Sequence, residues 1–210
     1  MNGKDRKVNF ANMDFTSPFQ FGFIQTTPIE LVAVFFGLLS VWFMKKESTL
    51  AFPFGIINVL IYIYIFFQTH LYANAGINAF FFLMSVYGWY NWTRKGKDEK
   101  NIRITECSGG VYLLYVMAIL GFFIVLWFLL KRVTDSQVPQ WDALTTAIYI
   151  IGMWLLARKK IENWLLWIIA DSMMIVLCAY EHLYFTSLQY LIFTIIAVLG
   201  FLEWRIKLMK

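Results

Sequence analysis

An all-α integral membrane fold of seven transmembrane helices is predicted from three features of the chain. Sixty per cent of its 210 residues are hydrophobic and twenty per cent aromatic, with a mean hydropathy of +0.62. A soluble domain of this size has no core large enough to hide so much apolar surface. Seven apolar runs follow one another, at about 28–45, 50–67, 71–92, 111–130, 141–157, 161–180 and 183–204, and each meets the roughly 17–25 residues a helix needs to cross the hydrocarbon layer. Lys and Arg alternate between the connecting segments, thirteen on one side and five on the other, the asymmetry that orients membrane helices.

Residues 1–27 hold no apolar stretch behind the basic start MNGKDRK, so no cleaved signal peptide is predicted. The segment VNFANMDFTSPFQFGFI mixes Phe with Asn, Asp and Gln, a pattern that fits either an interfacial segment or a disordered tail. Spans one to three make a first unit over 28–98, with Pro53 and Gly55 loosening the start of the second span at PFGIIN. Residues 99–139 combine a charged loop with a fourth, linker span, whose FFIVLWFLL is apolar all round and lacks the alternation of a membrane strand. Spans five to seven occupy 140–206, and 207–210 form a short tail.

The thirteen basic residues include Lys45, Lys46, Arg94, Arg103, Arg158, Lys159, Arg205 and Lys207. They place the loops after spans one, three and five, and the C-terminus, in the cytoplasm, with the N-terminus outside. This topology accounts for the net charge of +5 and leaves no call for nucleic acid as a partner, which would need a basic folded face. Membrane lipid is the surrounding partner. Cys107 and Cys178 fall in a loop and inside a span, so neither a disulfide nor metal-ligand spacing is read from them. No metal and no cofactor is predicted.

The chain also matches itself at an offset of 112 residues: Trp42 with Trp154, His70-Leu71-Tyr72 with His182-Leu183-Tyr184, Gly88 with Gly200 and Trp92 with Trp204. Glu30 with Asp142 and Lys46 with Arg158 are like-charge matches. Singly, such matches recur at membrane interfaces for unrelated reasons, but a shared offset indicates duplication. Spans one to three then correspond to five to seven. The odd linker span lets both triplets insert in the same direction, as two parallel three-helix repeats in a 3+1+3 order.

Repeat-built transporters bind substrate near the bilayer midplane between their bundles, so polar residues inside spans are the candidates. Asp171 lies about 15 Å into span six at 1.5 Å per residue, the centre of a layer about 30 Å thick. An ionised carboxylate there costs about 3 kcal/mol even on the lenient insertion scale. Trp164, Trp167 and Asp171 follow an i, i+3, i+7 spacing and share one helical face. Two indoles beside an acid suit a planar organic cation, held by stacking, cation–π attraction and charge neutralisation. Asn58 in span two, Asn78 in span three and Gln189 in span seven are amides able to bond hydroxyl or carboxamide groups of the same ligand. No Lys or Arg lies inside a span, which argues for an unphosphorylated ligand.

Other roles fit several of these residues. Trp42, Trp92, Trp154 and Trp204 sit at span ends beside basic residues and are expected to be interfacial anchors, a role open to Trp164 as well. Asn58, Asn78 and Gln189 each suit interhelical hydrogen bonding. His70 and His182 are expected to be solvated turn residues. An intramembrane enzyme would need a second titratable or nucleophilic group near Asp171, and the histidines lie in outer loops.

ENWLLWIIAD in the sixth span, YGWYNW closing the third, PFGIINVLIYIYIFF in the second and the final GFLEWR together resemble the PnuC family of bacterial vitamin transporters over about residues 28–206. The W-x-x-W-x-x-x-D/N element is the most specific piece. The resemblance implies a repeat design similar to the SWEET sugar transporters and a location in the bacterial inner membrane. It also implies a homo-oligomer, a trimer in the family's pattern. Ring-stacking and polar roles then fall on Trp164, Trp167 and Asp171. It further implies uptake of a small-molecule vitamin by facilitated diffusion, with a separate cytoplasmic kinase trapping the product. Nicotinamide riboside, with its pyridinium, is the expected substrate; thiamine, with its thiazolium, is the alternative. A proton-coupled carrier using Asp171 is also open. The chain holds no Walker-type glycine loop, so ATP-driven pumping is not expected.

Overall fold

In a computed structural model the described residues are 19–21, 24–94, 102–134, 138–180 and 184–209. They form seven long helices: α1 (Pro28–Lys45), α2 (Ala51–Gln68), α3 (Tyr72–Thr93), α4 (Tyr112–Val133), α5 (Pro139–Ala157), α6 (Glu162–Tyr180) and α7 (Tyr184–Leu208). Each agrees with a predicted apolar run to within a few residues at either end. Where an interfacial or disordered segment was expected, Phe19–Phe21 (β1) and Ile24–Thr26 (β2) pair as a short antiparallel hairpin. Residues 1–18 lie outside the described part, as does His182.

The helix starts and stops follow local chemistry. Thr27 and Glu30 close a capping box around Pro28 at the first turn of α1, satisfying two backbone N–H groups that the helix leaves unpaired. Helix α1 ends with Glu47 in the left-handed region (φ 56°) and a Ser48 N–H donated back to the Phe43 carbonyl at 2.9 Å. Helix α5 ends the same way, with Lys159 at φ 52° and Lys160 N–H donated to Leu155 at 2.9 Å. These are Schellman turns built without glycine. Each left-handed residue costs about 1–2 kcal/mol.

Helices α1, α2 and α3 pack in sequence order, as do α5, α6 and α7; α1 meets α7, α3 meets α5, and α4 lies against α5. Among the described residues four segments, α1, α2, residues 109–133 with α4, and α6, are long and apolar enough to cross a membrane. Leucines and valines such as Leu113 and Val125 stand out from α4 more than 60% exposed, an outward face suited to lipid rather than water.

The C-terminal ends of α1, α3, α5 and α7 converge. Trp92 of α3 donates its indole N–H to the Leu156 carbonyl of α5, and Trp204 of α7 donates its own to the Lys45 carbonyl of α1, both at 3.1 Å. Asn91 adds a bond to the Ala157 carbonyl at 2.8 Å. The two rings lie 5.9 Å apart and are 2% and 0% exposed. Trp92 and Trp204 are therefore core residues, a correction to the expectation that they anchor at the interface. Their N–H groups find backbone acceptors released where α1 and α5 end. Trp42 and Trp154 keep the anchoring geometry, with Lys45 and Arg158 over their rings at 4.2 and 4.3 Å.

An ion network ties the same ends. Glu47 receives Lys159 at 3.1 Å and Lys207 at 3.0 Å, and Lys45 faces Glu203 at 3.6 Å. Lys159 is only 5% exposed, with its ammonium 4.6 Å from the Trp92 ring centre. Its burial was not expected from a position in a basic loop.

Candidate functional site

Helix α6 carries the three residues singled out from spacing, each in a seat made by a small residue or a ring on a neighbouring helix. Trp164 is 1% exposed and stands edge-on to Trp204, centroids 5.4 Å apart at 89°. It fills the space over Gly200, where a Cβ would fall 2.8 Å from the indole. Trp167 covers Gly152 of α5 in the same way, again at 2.8 Å, and meets the Tyr149 ring edge to face at 6.2 Å. Asp171 is 2% exposed, and its Oδ1 accepts the Tyr149 hydroxyl at 2.5 Å.

Trp164 Nε1, Trp167 Nε1 and Asp171 Oδ2 are buried and have no hydrogen-bond partner among the described residues. Buried polar atoms are nearly always paired; on α6 Glu162 Oε2 and Asn163 Oδ1 share the unpaired state of these three. Two indole donors and a carboxylate oxygen could bond a group that carries acceptors and a positive charge or a donor. None of the ion pairs among the described residues includes Asp171.

The predicted amides lie differently. Asn58 donates to the Ala33 carbonyl of α1 at 2.7 Å, passing over Gly37. Asn78 donates to the Asn74 carbonyl of its own helix at 2.9 Å. Gln189 is in hydrogen-bonding contact with Tyr62 of α2, joining α7 to the first triplet, while its neighbour Tyr190 lies within electrostatic reach of Tyr149, Asp171 and Cys178. Gln189 is thus engaged with Tyr62 on the first triplet, and Asn58 and Asn78 are turned to backbone. Tyr149, Tyr190 and Tyr62 were not singled out from the sequence, since a tyrosine in an aromatic-rich span has no distinguishing pattern. The usable signal was the need of a buried acid for a donor on the facing helix.

Just before α6, Lys160 and Thr105 form a parallel bridge, with Thr105 N–H donated to the Lys159 carbonyl and Ile161 N–H to the Thr105 carbonyl, both at 3.1 Å, which holds the segment before α4 against the α5–α6 turn. Glu162 secures it by accepting the Cys107 N–H at 2.6 Å and the Tyr112 hydroxyl at 2.9 Å. Burial, with the Glu162 carboxylate alongside, pushes the Cys107 thiol up to about 11. At pH 8 roughly one molecule in a thousand then carries the reactive thiolate. Alkylation of Cys107 by iodoacetamide, followed by mass spectrometry, is expected to be negligible at pH 8 in folded protein and rapid after denaturation.

Apolar helices enclosing a buried, partly unsatisfied polar face define a multi-span membrane carrier, and comparison with known proteins agrees. The family described as "Nicotinamide mononucleotide transporter" matches residues 27–206; the chain belongs to this family, the PnuC transporters, and is not an enzyme. It is 31% identical over 201 residues to the nicotinamide riboside transporter PnuC of Escherichia coli (strain K12), covering 84% of each chain. It is 24% identical to the riboflavin/roseoflavin transporter RibM of Streptomyces davaonensis, covering 85% of this chain and 84% of that one. The solved "Crystal structure of the Vitamin B3 transporter PnuC" superposes with a TM-score of 0.68 at 24% identity, over 84% of this chain and 80% of that one. It shares the fold.

Proposed function

We propose that the chain takes up nicotinamide riboside by facilitated diffusion, binding it on the α6 face of Trp164, Trp167 and Asp171, with Gln189, Asn58 and Asn78 shaping the neighbouring helices. The observation that carries this reading is Asp171: a buried carboxylate with one free oxygen, beside Trp167 and with no cationic side chain paired to it. A pyridinium supplies the missing charge and a flat ring, and its ribose and carboxamide supply acceptors for the indoles. The family description names a mononucleotide, but Lys and Arg lie only at helix ends and in loops, so a phosphate would enter the bundle unpaired. The riboside fits better. Thiamine, an unphosphorylated planar cation as well, is the second reading on the same charge argument.

Transport follows from two parallel repeats, α1–α3 and α5–α7, joined by α4, that rock about the central site. Paired geometry at the 112-residue offset supports this design. Gly88 lies under Phe52 as Gly200 lies under Trp164, and Phe52–Trp92 and Trp164–Trp204 are both edge-to-face at 89°. Glu47 and Lys159, one offset apart, bond each other, as expected of residues beside a pseudo-twofold axis. The end that carries this pair faces the cytoplasm of the inner membrane on the basic-residue count. A cytoplasmic kinase that phosphorylates the vitamin would draw uptake inward.

Titration of detergent-purified protein by tryptophan fluorescence tests the ligand. Nicotinamide riboside is expected to quench emission saturably, and nicotinamide mononucleotide and riboflavin to have little effect. Preference for the mononucleotide would overturn the charge argument, and preference for thiamine would transfer the site to the second reading.

A further inference from the structure

The geometry points to Tyr149 as a positioning residue that sets the preference for a positively charged ring, a reading that rests on the transport function proposed above. One side chain on α5 touches two of the α6 residues. Its hydroxyl donates to Asp171 Oδ1 at 2.5 Å and its ring edge meets Trp167 at 83°. A carboxylate at the end of a short side chain can rotate, and a free one would present either oxygen, or neither, to a ligand. Tyr149 removes that freedom by occupying Oδ1. The remaining oxygen, Oδ2, is buried and unpartnered among the described residues, and it is the atom left to face a cation.

The surrounding groups leave Tyr149 alone in this role. The titratable side chains grouped around Asp171 are Tyr149 from α5 and Tyr190 from α7, with Cys178 of α6 acting on the two tyrosines, none of them a cation. Of these, Tyr149 makes the hydrogen bond to Asp171. Gly152, one turn further along α5, admits the Trp167 indole, so α5 fixes both the ring platform and the charged atom beside it. The positions 112 residues earlier, Gly37 and Val59, hold neither a hydroxyl nor an acid. The couple exists in one half of the molecule only, which makes the site one-sided.

Tyr149→Phe deletes the hydroxyl and keeps the ring. The probes are nicotinamide riboside and its uncharged 1,4-dihydro form, nearly the same in shape, with affinities read by isothermal titration calorimetry on full-length protein. The parent should prefer the cation. Tyr149→Phe should lose about tenfold in cation affinity, consistent with a hydrogen bond to a charged group, and change less than twofold for the uncharged form. In an Asp171→Ala background the same change should have no further effect. Equal loss for both probes, equal loss in the Asp171→Ala background, or unchanged cation affinity would each overturn the assignment. Asp171→Asn gives an independent check: its oxygen still receives the Tyr149 hydroxyl, so an amide NH2 replaces the free oxygen. Cation affinity should fall tenfold or more with the uncharged form retained, and an Asn variant that binds the cation like the parent contradicts the geometry. A parent that binds neither probe fails at the earlier step, the function itself, whereas cation binding without these discriminations fails only here.

Discussion

Asp171→Ala is expected to weaken nicotinamide riboside binding by about 1–3 kcal/mol, between roughly fivefold and 150-fold, while the protein remains folded. The acid is 2% exposed, so its charge acts through little water, and no lysine or arginine among the described ion pairs competes for it. Removing it leaves the Tyr149 hydroxyl without its acceptor, a local cost that falls on the free and the bound protein alike. The ligand alone loses its counter-charge. Stacking on Trp167 persists, which is why the loss is bounded. Fluorescence titration of the variant, with its melting temperature as the folding control, checks this; full affinity in a folded variant would remove the charge argument.

Glu47→Gln is expected to lower stability by about 2 kcal/mol, somewhat under the 3–5 kcal/mol seen when one partner of a fully buried pair is removed. Lys159 is 5% exposed and its ammonium would remain in place with an amide oxygen to bond and the Trp92 ring at 4.6 Å, but without a counter-charge. Lys207 would lose its 3.0 Å contact too, but its side chain is over a third exposed and water replaces much of that interaction. The discount from the fully buried case comes from Glu47 itself, whose side chain is 22% exposed. Because this cluster joins the ends of α1, α3, α5 and α7, the variant should also open that end more readily. Thermal unfolding in detergent measures the first effect, and a higher rate of labelling at a cysteine placed beside Trp92 measures the second. An unchanged melting temperature would mean that the pair contributes nothing net.

The spans were legible because each is a long apolar run bounded by charge or by Pro and Gly, and helix ends such as Pro28 and Lys45 coincide with those bounds. The face of Trp164, Trp167 and Asp171 was legible from spacing alone, since i, i+3 and i+7 coincide on a helix. What neighbouring helices contribute was not. Tyr149 lies in YIIG, where nothing separates a hydroxyl aimed at an acid from an ordinary core aromatic. Gly152 is informative only once Trp167 is seen to lie over it. Trp92 and Trp204 carry the composition of interfacial anchors, and only their carbonyl partners on α5 and α1 reveal them as core. Lys159 reads as a loop cation until the turn delivers it to Glu47. Each miss concerns a partner far away in sequence, which periodicity does not encode.

Flux of radiolabelled nicotinamide riboside into proteoliposomes containing the purified protein, followed by chromatography of the lumenal contents, tests the central claim most directly. The account predicts saturable equilibration of chemically unchanged riboside without ATP, competed by unlabelled riboside and slowed in Asp171→Ala. No protein-dependent equilibration, or riboside recovered in altered form, would contradict it.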